Sequence, residues 1–170
     1  DADGHQMSAY DIALMSRELL KHEDVFQFTT IWMDSLRDGK FTLSNTNKLI
    51  RFYKGATGLK TGSTSVAKNC ISATAKRDGM HLIAVVMGAE TSKKRFADAS
   101  NMLNYGFGAY GVKKVIEKGK PMLEANVKKG MKSKTELVAE NDFTYLFKRS
   151  EKNEVLPKIN AEKDFDAPVE

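Results

Sequence analysis

Three strand-length segments follow one another with almost nothing between them, at residues 57–64, 68–77 and 81–88. The second and third are joined by Arg77-Asp78-Gly79-Met80, and Asp-Gly is a strong two-residue hairpin signal because both positions tolerate positive φ. Links this short cannot carry a chain across a sheet, so the three strands are predicted to run antiparallel in sequence order. Residues 92–104 place Phe96, Ala99, Met102 and Leu103 at helical spacing, predicting a helix that packs back onto that sheet. Upstream, Ser8 and Asp11 read as a capping pair ahead of Ile12, Met15, Leu19 and Leu20. They predict an amphipathic helix over residues 8–21 whose apolar face is core. Residues 28–36 and 41–43 flank Arg37-Asp38-Gly39-Lys40, a second hairpin signal, with Trp32 and Phe41 as structural aromatics.

The first of the three strands carries the chemistry. Lys60-Thr61-Gly62 supplies a cation, a hydroxyl and a gap through which a ligand can reach backbone, which is equipment for holding a carboxylate. Gly55 and Gly58 just upstream invite comparison with a phosphate loop. Such a loop needs Gly immediately before its Lys, where this chain has Leu59, and it must open a helix; the residues after Gly62 instead lead into a strand.

Composition narrows the remaining classes. At 170 residues, 41% hydrophobic and 29% charged, the chain is long enough for one core and a small appendage. Its 27 basic and 22 acidic residues leave a net charge of +5, a mild excess that serves solubility or attraction to anionic surfaces. No basic stripe is interleaved with aromatics, so no nucleic-acid partner is expected. His5, His22 and His81 are scattered without metal-ligand spacing, so no metal is expected, nor any cofactor. The lone Cys70, set in an apolar strand, reads as a buried small hydrophobe. No apolar run approaches the ~20 residues that span a bilayer, and residues 1–20 lack the charged start and apolar centre of a signal peptide.

The texture changes at Gly106, Gly108 and Gly111. Beyond Val115 the chain is Lys-rich, with short β segments at residues 136–139, 143–148 and 155–159 and a turn at Asn141-Asp142. Residues 113–134 read as a solvated surface, with contact to a polymer or membrane as the alternative. The division expected is 1–112 for the first domain and 113–170 for a second, all-β one.

Several ordered blocks together carry a family resemblance: Asp1-Ala2-Asp3-Gly4, Ser8-Ala9-Tyr10-Asp11, Asn45-Thr46-Asn47-Lys48-Leu49, Gly58-Leu59-Lys60-Thr61-Gly62, the 82–88 strand, and Arg95. Over about residues 1–114 the chain resembles the low-molecular-mass penicillin-binding proteins of the D-alanyl-D-alanine carboxypeptidase family, peptidase family S11. The resemblance implies an α+β fold: part of a β-lactamase/transpeptidase-like antiparallel sheet with flanking helices, then an incomplete small β domain. It also implies removal of the terminal D-alanine from peptidoglycan stem peptides through an acyl-enzyme, inactivation by β-lactams, and a place at the outer face of the cytoplasmic membrane through elements outside these residues.

Such enzymes use Ser-x-x-Lys, Ser-x-Asn and Lys-Thr-Gly. No Ser-x-Asn occurs here, and the sole Ser-x-x-Lys is Ser65-Val66-Ala67-Lys68, which follows Lys-Thr-Gly and falls in a turn. The expectation is therefore that the chain is an interior piece, with no catalytic nucleophile of its own. By resemblance Lys60, Thr61, Gly62, Ser63 and Arg95 are substrate-binding. Lys60 lines the cleft, the Thr61 hydroxyl meets the substrate carboxylate, and Ser63 gives its backbone N–H to the oxyanion hole. The Ser63 side chain reads either as a carboxylate contact or as a surface hydroxyl, and Arg95 either as a cleft cation or as a solvated helix residue beside Lys93 and Lys94. Asn45 and Asn47 resemble residues near the cleft floor, with turn or strand-end roles. The alternative to the enzyme is a non-catalytic penicillin-binding-like scaffold or cell-wall recognition module; a β-lactamase is disfavoured by the appended β domain.

Overall fold

The structure, a computed structural model, describes residues 2–151 and 156–168. It divides into two compact units, Asp1–Ala109 and Tyr110–Glu170, and its elements are a mixture of helices and mainly antiparallel sheets.

In the first unit, helix α1 (Ala9–Leu19) starts where the sequence predicts. The Asp11 amide donates to Ser8 Oγ at 3.1 Å and the Ser8 amide returns a bond to the Asp11 carboxylate at 2.9 Å, so two otherwise unpaired amides are satisfied. A 3-10 turn and the short helix α2 (Phe26–Thr29) lead into the two-stranded ribbon β1 (Met33–Leu36) and β2 (Phe41–Ser44). Helix α3 (Leu49–Phe52) follows, then β3 (Ala56–Thr64), β4 (Lys68–Arg77), β5 (Met80–Ala89) and helix α4 (Ser92–Ala109). Strands β3, β4 and β5 form one antiparallel sheet in that order. The Asp78-Gly79 turn has φ of 47° and 79°, the doubly positive geometry that closes a two-residue hairpin.

The two faces of this sheet differ because side chains alternate along a strand. One face presents Ile71, Ala73, Ala75 and Ala84, all buried, to Ala99 and Leu103 of α4. Small side chains let the helix come close; a Cβ on Gly106 would stand 2.6 Å from Leu82 Cδ1. The other face is polar yet buried. Ser72 Oγ meets Ser16 Oγ of α1 at 2.7 Å, while Thr57 Oγ1 lies 2.8 Å from both Thr74 Oγ1 and His81 Nε2. Pairing these hydroxyls with one another removes the cost of taking them out of water.

Several expectations change. The inward face of α1 is Ile12, Ser16 and Leu20, spaced i, i+4 and i+8, whereas Met15 and Leu19 are 55% and 43% exposed. The Ser16–Ser72 bond sets the helix rotation, and the three-residue offset carries Met15 and Leu19 off the sheet. Phe28 belongs to α2 and not to a strand. Phe41 is exposed beneath Arg37, and Trp32 is half-buried, edge-on to Phe52 at 6.1 Å. Helix α4 continues past residue 104 through Gly106 and Gly108, since at Gly106 the sheet requires the missing side chain. Cys70 is half-buried, its thiol donating to the Ala67 carbonyl at 3.2 Å.

The second unit contains β6 (Tyr110–Ile116), β7 (Pro121–Lys128), β8 (Lys134–Val138), β9 (Phe143–Lys148) and β10 (Asp164–Asp166). β6 pairs with β9 and β7 with β8, both antiparallel, while β10 lies parallel to β7. The Lys-rich stretch read as solvated surface thus holds two strands. Lysines stand at outward positions, with Lys114 on Asp142 and Lys134 on Glu124, each at 2.6 Å, while Ala125 is buried. Of the segment predicted at 155–159, Val155 lies outside the described residues and 156–159 are not in a strand.

Candidate functional site

β3 is an edge strand of its sheet among the described residues. Lys60 stands opposite Ser72, Thr61 opposite Ile71, Gly62 opposite Cys70 and Ser63 opposite Asn69. Lys60 is exposed, its ammonium resting on the Thr61 carbonyl. Thr61 is only 7% exposed, and its hydroxyl meets that of Thr46 at 2.7 Å. Gly62 is open: a Cβ built there meets nothing within 4 Å. Lys60, Thr61 and Gly62 line a cavity of about 260 Å³ that is completed by Ile12, Cys70 and Ser72, among others.

Behind the end of β3 stands Arg95, buried at 6% exposure at the start of α4. Its Nη1 donates to the Gly62 carbonyl at 3.0 Å, to Ser63 Oγ at 3.1 Å and to the Cys70 carbonyl at 3.2 Å. Nη2 donates to Ser92 Oγ at 3.3 Å, and the guanidinium carbon lies 4.9 Å from the Phe96 ring centre. Among the described residues Nε is buried without a partner, and no carboxylate forms an ion pair with the group. The solvated reading of Arg95 is therefore wrong: its charge is answered by carbonyl dipoles on the back of the Gly62-Ser63 segment.

The strand is also held along its length. Asn47, 1% exposed, donates from Nδ2 to the Gly58 carbonyl at 3.0 Å and accepts from the Leu49 amide at 3.1 Å. Asn45 donates to the Ile31 carbonyl and accepts from the Asn47 amide, both at 2.9 Å. Thr29 donates to the Thr57 carbonyl at 2.6 Å. At Gly58, where φ is +149°, a Cβ would come within 3.0 Å of Thr29, so this clasp requires glycine.

Comparison with known proteins gives this arrangement its context. The family profile for D-alanyl-D-alanine carboxypeptidase matches residues 1–91, and the one for the C-terminal domain of penicillin-binding protein 5 matches residues 110–170. The chain belongs to the D-alanyl-D-alanine carboxypeptidase family. It is 41% identical over 172 residues to D-alanyl-D-alanine carboxypeptidase DacF of Bacillus subtilis, covering 99% of this chain and 44% of that protein. It is 31% identical to DacD of Escherichia coli at the same coverages. Among solved structures it is similar to penicillin-binding protein 5 from Haemophilus influenzae, with TM-score 0.72, 28% identity, 99% of this chain and 49% of that one. It is also similar to penicillin-binding protein D2 from Listeria monocytogenes in its cefotaxime-bound form, with TM-score 0.57, 34% identity, 63% of this chain and 44% of that one. The chain thus spans less than half the length of these relatives.

For a carboxypeptidase-family chain, the residues singled out in the sequence divide cleanly. Lys60, Thr61, Gly62 and Ser63 are consecutive along one edge, and the fold brings Arg95 to their back. Ser65 and Lys68 fall at the tight connection between β3 and β4, with Lys68 at φ 55° and no helix to present a nucleophile. Asn45 and Asn47 serve as backbone staples, in line with a turn role. Thr46 escaped the sequence reading, because nothing in the sequence marks a hydroxyl between two asparagines as the partner of Thr61.

Proposed function

We propose that these residues form the substrate-gripping wall of a serine-type D-alanyl-D-alanine carboxypeptidase, and that the parent protein trims the terminal D-alanine from peptidoglycan stem peptides through an acyl-enzyme. Such a reaction needs an activated serine, donors for the tetrahedral oxyanion and a cationic grip on the terminal carboxylate. Lys60 supplies positive potential on the exposed edge, and the Thr61 hydroxyl binds the carboxylate. Gly62 lets the ligand lie against the strand, and the Ser63 backbone N–H contributes to the oxyanion hole. Arg95 braces this segment from behind and adds its positive charge to the field. The nucleophile is assigned to sequence beyond these 170 residues, since they hold no Ser-x-Asn and their one Ser-x-x-Lys sits in a hairpin connection.

The observation that carries the reading is the open space over Gly62 on a strand edge that is free among the described residues, flanked by an exposed lysine and backed by a buried arginine that pairs with no described carboxylate. The peptidase domain then ends at Ala109 and the small β domain begins at Tyr110, three residues before the boundary expected at 112/113, which would cut β6 in two. β-Lactams are the expected inactivators, and the working location is the outer face of the cytoplasmic membrane, with attachment through other segments. No described helix is long and apolar enough to cross a membrane.

Labelling with a fluorescent penicillin tests the proposal. The full-length parent should label, Lys60→Ala should lose most of that labelling, and the 170-residue chain alone should stay dark. Label attached to Ser65 would overturn the assignment, and an unlabelled parent would point instead to a non-catalytic scaffold.

A further inference from the structure

We infer that Thr46 is a positioning residue that sets the direction of the Thr61 hydroxyl proton; the inference rests on the proposed carboxylate grip and deepens it. The Thr46 and Thr61 oxygens are 2.7 Å apart, and among the described residues Thr46 is the one hydrogen-bond partner of the Thr61 side chain. Each hydroxyl has a single proton. If Thr61 donates to Thr46, its proton is spent and its oxygen offers only lone pairs, which repel an arriving carboxylate. If Thr46 donates to Thr61, the Thr61 proton is free for the carboxylate, and accepting one bond strengthens the bond it gives.

An anion on the β3 edge therefore selects the second arrangement, and Thr46 is what makes it available. The loop is built to hold the Thr46 oxygen in place while its proton can turn. Asn45 and Asn47, on either side, spend their side chains on the Ile31 and Gly58 carbonyls and on the Asn47 and Leu49 amides. Thr61 is buried and Thr46 exposed, so the outer hydroxyl is free to reorient and the inner one is not freely solvated. Water cannot replace Thr46 without loss of this fixed direction.

The test compares acylation of the full-length protein by benzylpenicillin and by its methyl ester, which lacks the carboxylate charge. Thr46→Val should slow benzylpenicillin acylation by about tenfold, the scale of one charge-assisted hydrogen bond, and leave the ester rate within about twofold. Thr46→Ser should restore the benzylpenicillin rate. Thr61→Val should show the same ester-insensitive loss, and adding Thr46→Val to it should cost little more, since the two residues act as one unit. Equal slowing of acid and ester would mark Thr46 as merely structural and overturn the inference, as would no effect on either. A wild-type protein acylated by neither compound overturns the functional reading, and this inference with it.

Discussion

Arg95 and Ser63 lie 32 residues apart, yet Arg95 Nη1 donates to Ser63 Oγ at 3.1 Å while that hydroxyl donates onward to Asn69 Oδ1 at the same distance. The hydroxyl is therefore committed in both directions, accepting from α4 and donating within the sheet. Its proton points away from any ligand on the open edge. This leaves the Ser63 backbone N–H, and not the side chain, as the group able to serve the proposed reaction. Asn69 completes the brace by donating to the Ala89 and Glu90 carbonyls at 3.1 and 3.3 Å.

Arg95→Ala should destabilise the first unit by about 2–3 kcal/mol, because three acceptors at the strand end lose a charged donor in a buried setting. Arg95→Lys should recover only part of that loss, since an ammonium cannot reproduce the planar fork. Urea midpoints of the three proteins check this, and an Arg95→Lys protein as stable as wild type would remove the bracing role.

Gly62→Val should leave folding within about 0.5 kcal/mol, as a surface change into open space, yet sharply lower penicillin labelling because the ligand loses its approach to the strand. Gly106→Ala should do the reverse. Its Cβ would press on Leu82 at 2.6 Å, costing about 1–3 kcal/mol from overpacking, partly offset by about 1 kcal/mol of helix propensity. Paired melting and labelling assays separate the two, and a Gly62→Val protein that still labels normally would count against the site.

Asn47→Ala removes donors and acceptors from the buried Gly58 carbonyl and Leu49 amide. Unsatisfied buried polar groups cost about 1–3 kcal/mol each, so a loss of about 2–4 kcal/mol in unfolding free energy is expected. Chemical denaturation measures it, and a change below about 0.5 kcal/mol would show that water takes over the staple.

His81 is held below the usual imidazole value, first by burial and then by the positive charge of Lys76. The folded state thus binds fewer protons than the unfolded chain, so unfolding free energy should fall as pH drops below the unfolded value of about 6.5. His81→Gln, which keeps a bond to Thr57 but does not titrate there, should flatten the profile between about pH 7 and 5. The carboxyls of Asp11 and Asp142 are held low by bonds from Ser8 and Lys114, and they act in a more acid range, below about pH 4. Parallel stability profiles for the two proteins across the first window would exclude His81 as the cause.

Much of this was legible in the chain because it is written locally. The Ser8–Asp11 cap, the Asp78-Gly79 turn, the antiparallel order of β3 to β5 and the placing of Lys60-Thr61-Gly62 on a strand all follow from spacing and turn chemistry within a few residues. The strands β6 and β7 were not legible. Their lysines mask the alternation, and what makes them strands is pairing with partners up to 38 residues away, Tyr110 with Lys148 and Asn126 with Asp164.

From its residues alone, the chain determined an antiparallel three-stranded sheet with a cation, a hydroxyl and a glycine in successive positions on one strand. Only the tertiary structure decided that Arg95 is buried behind this strand, that Met15 and Leu19 face outward, and that Thr46 meets Thr61. Local patterns specify backbone conformation and turn geometry, whereas burial, charge compensation and hydroxyl pairing depend on which distant segments share a face, and that is fixed only when the helices pack on the sheet.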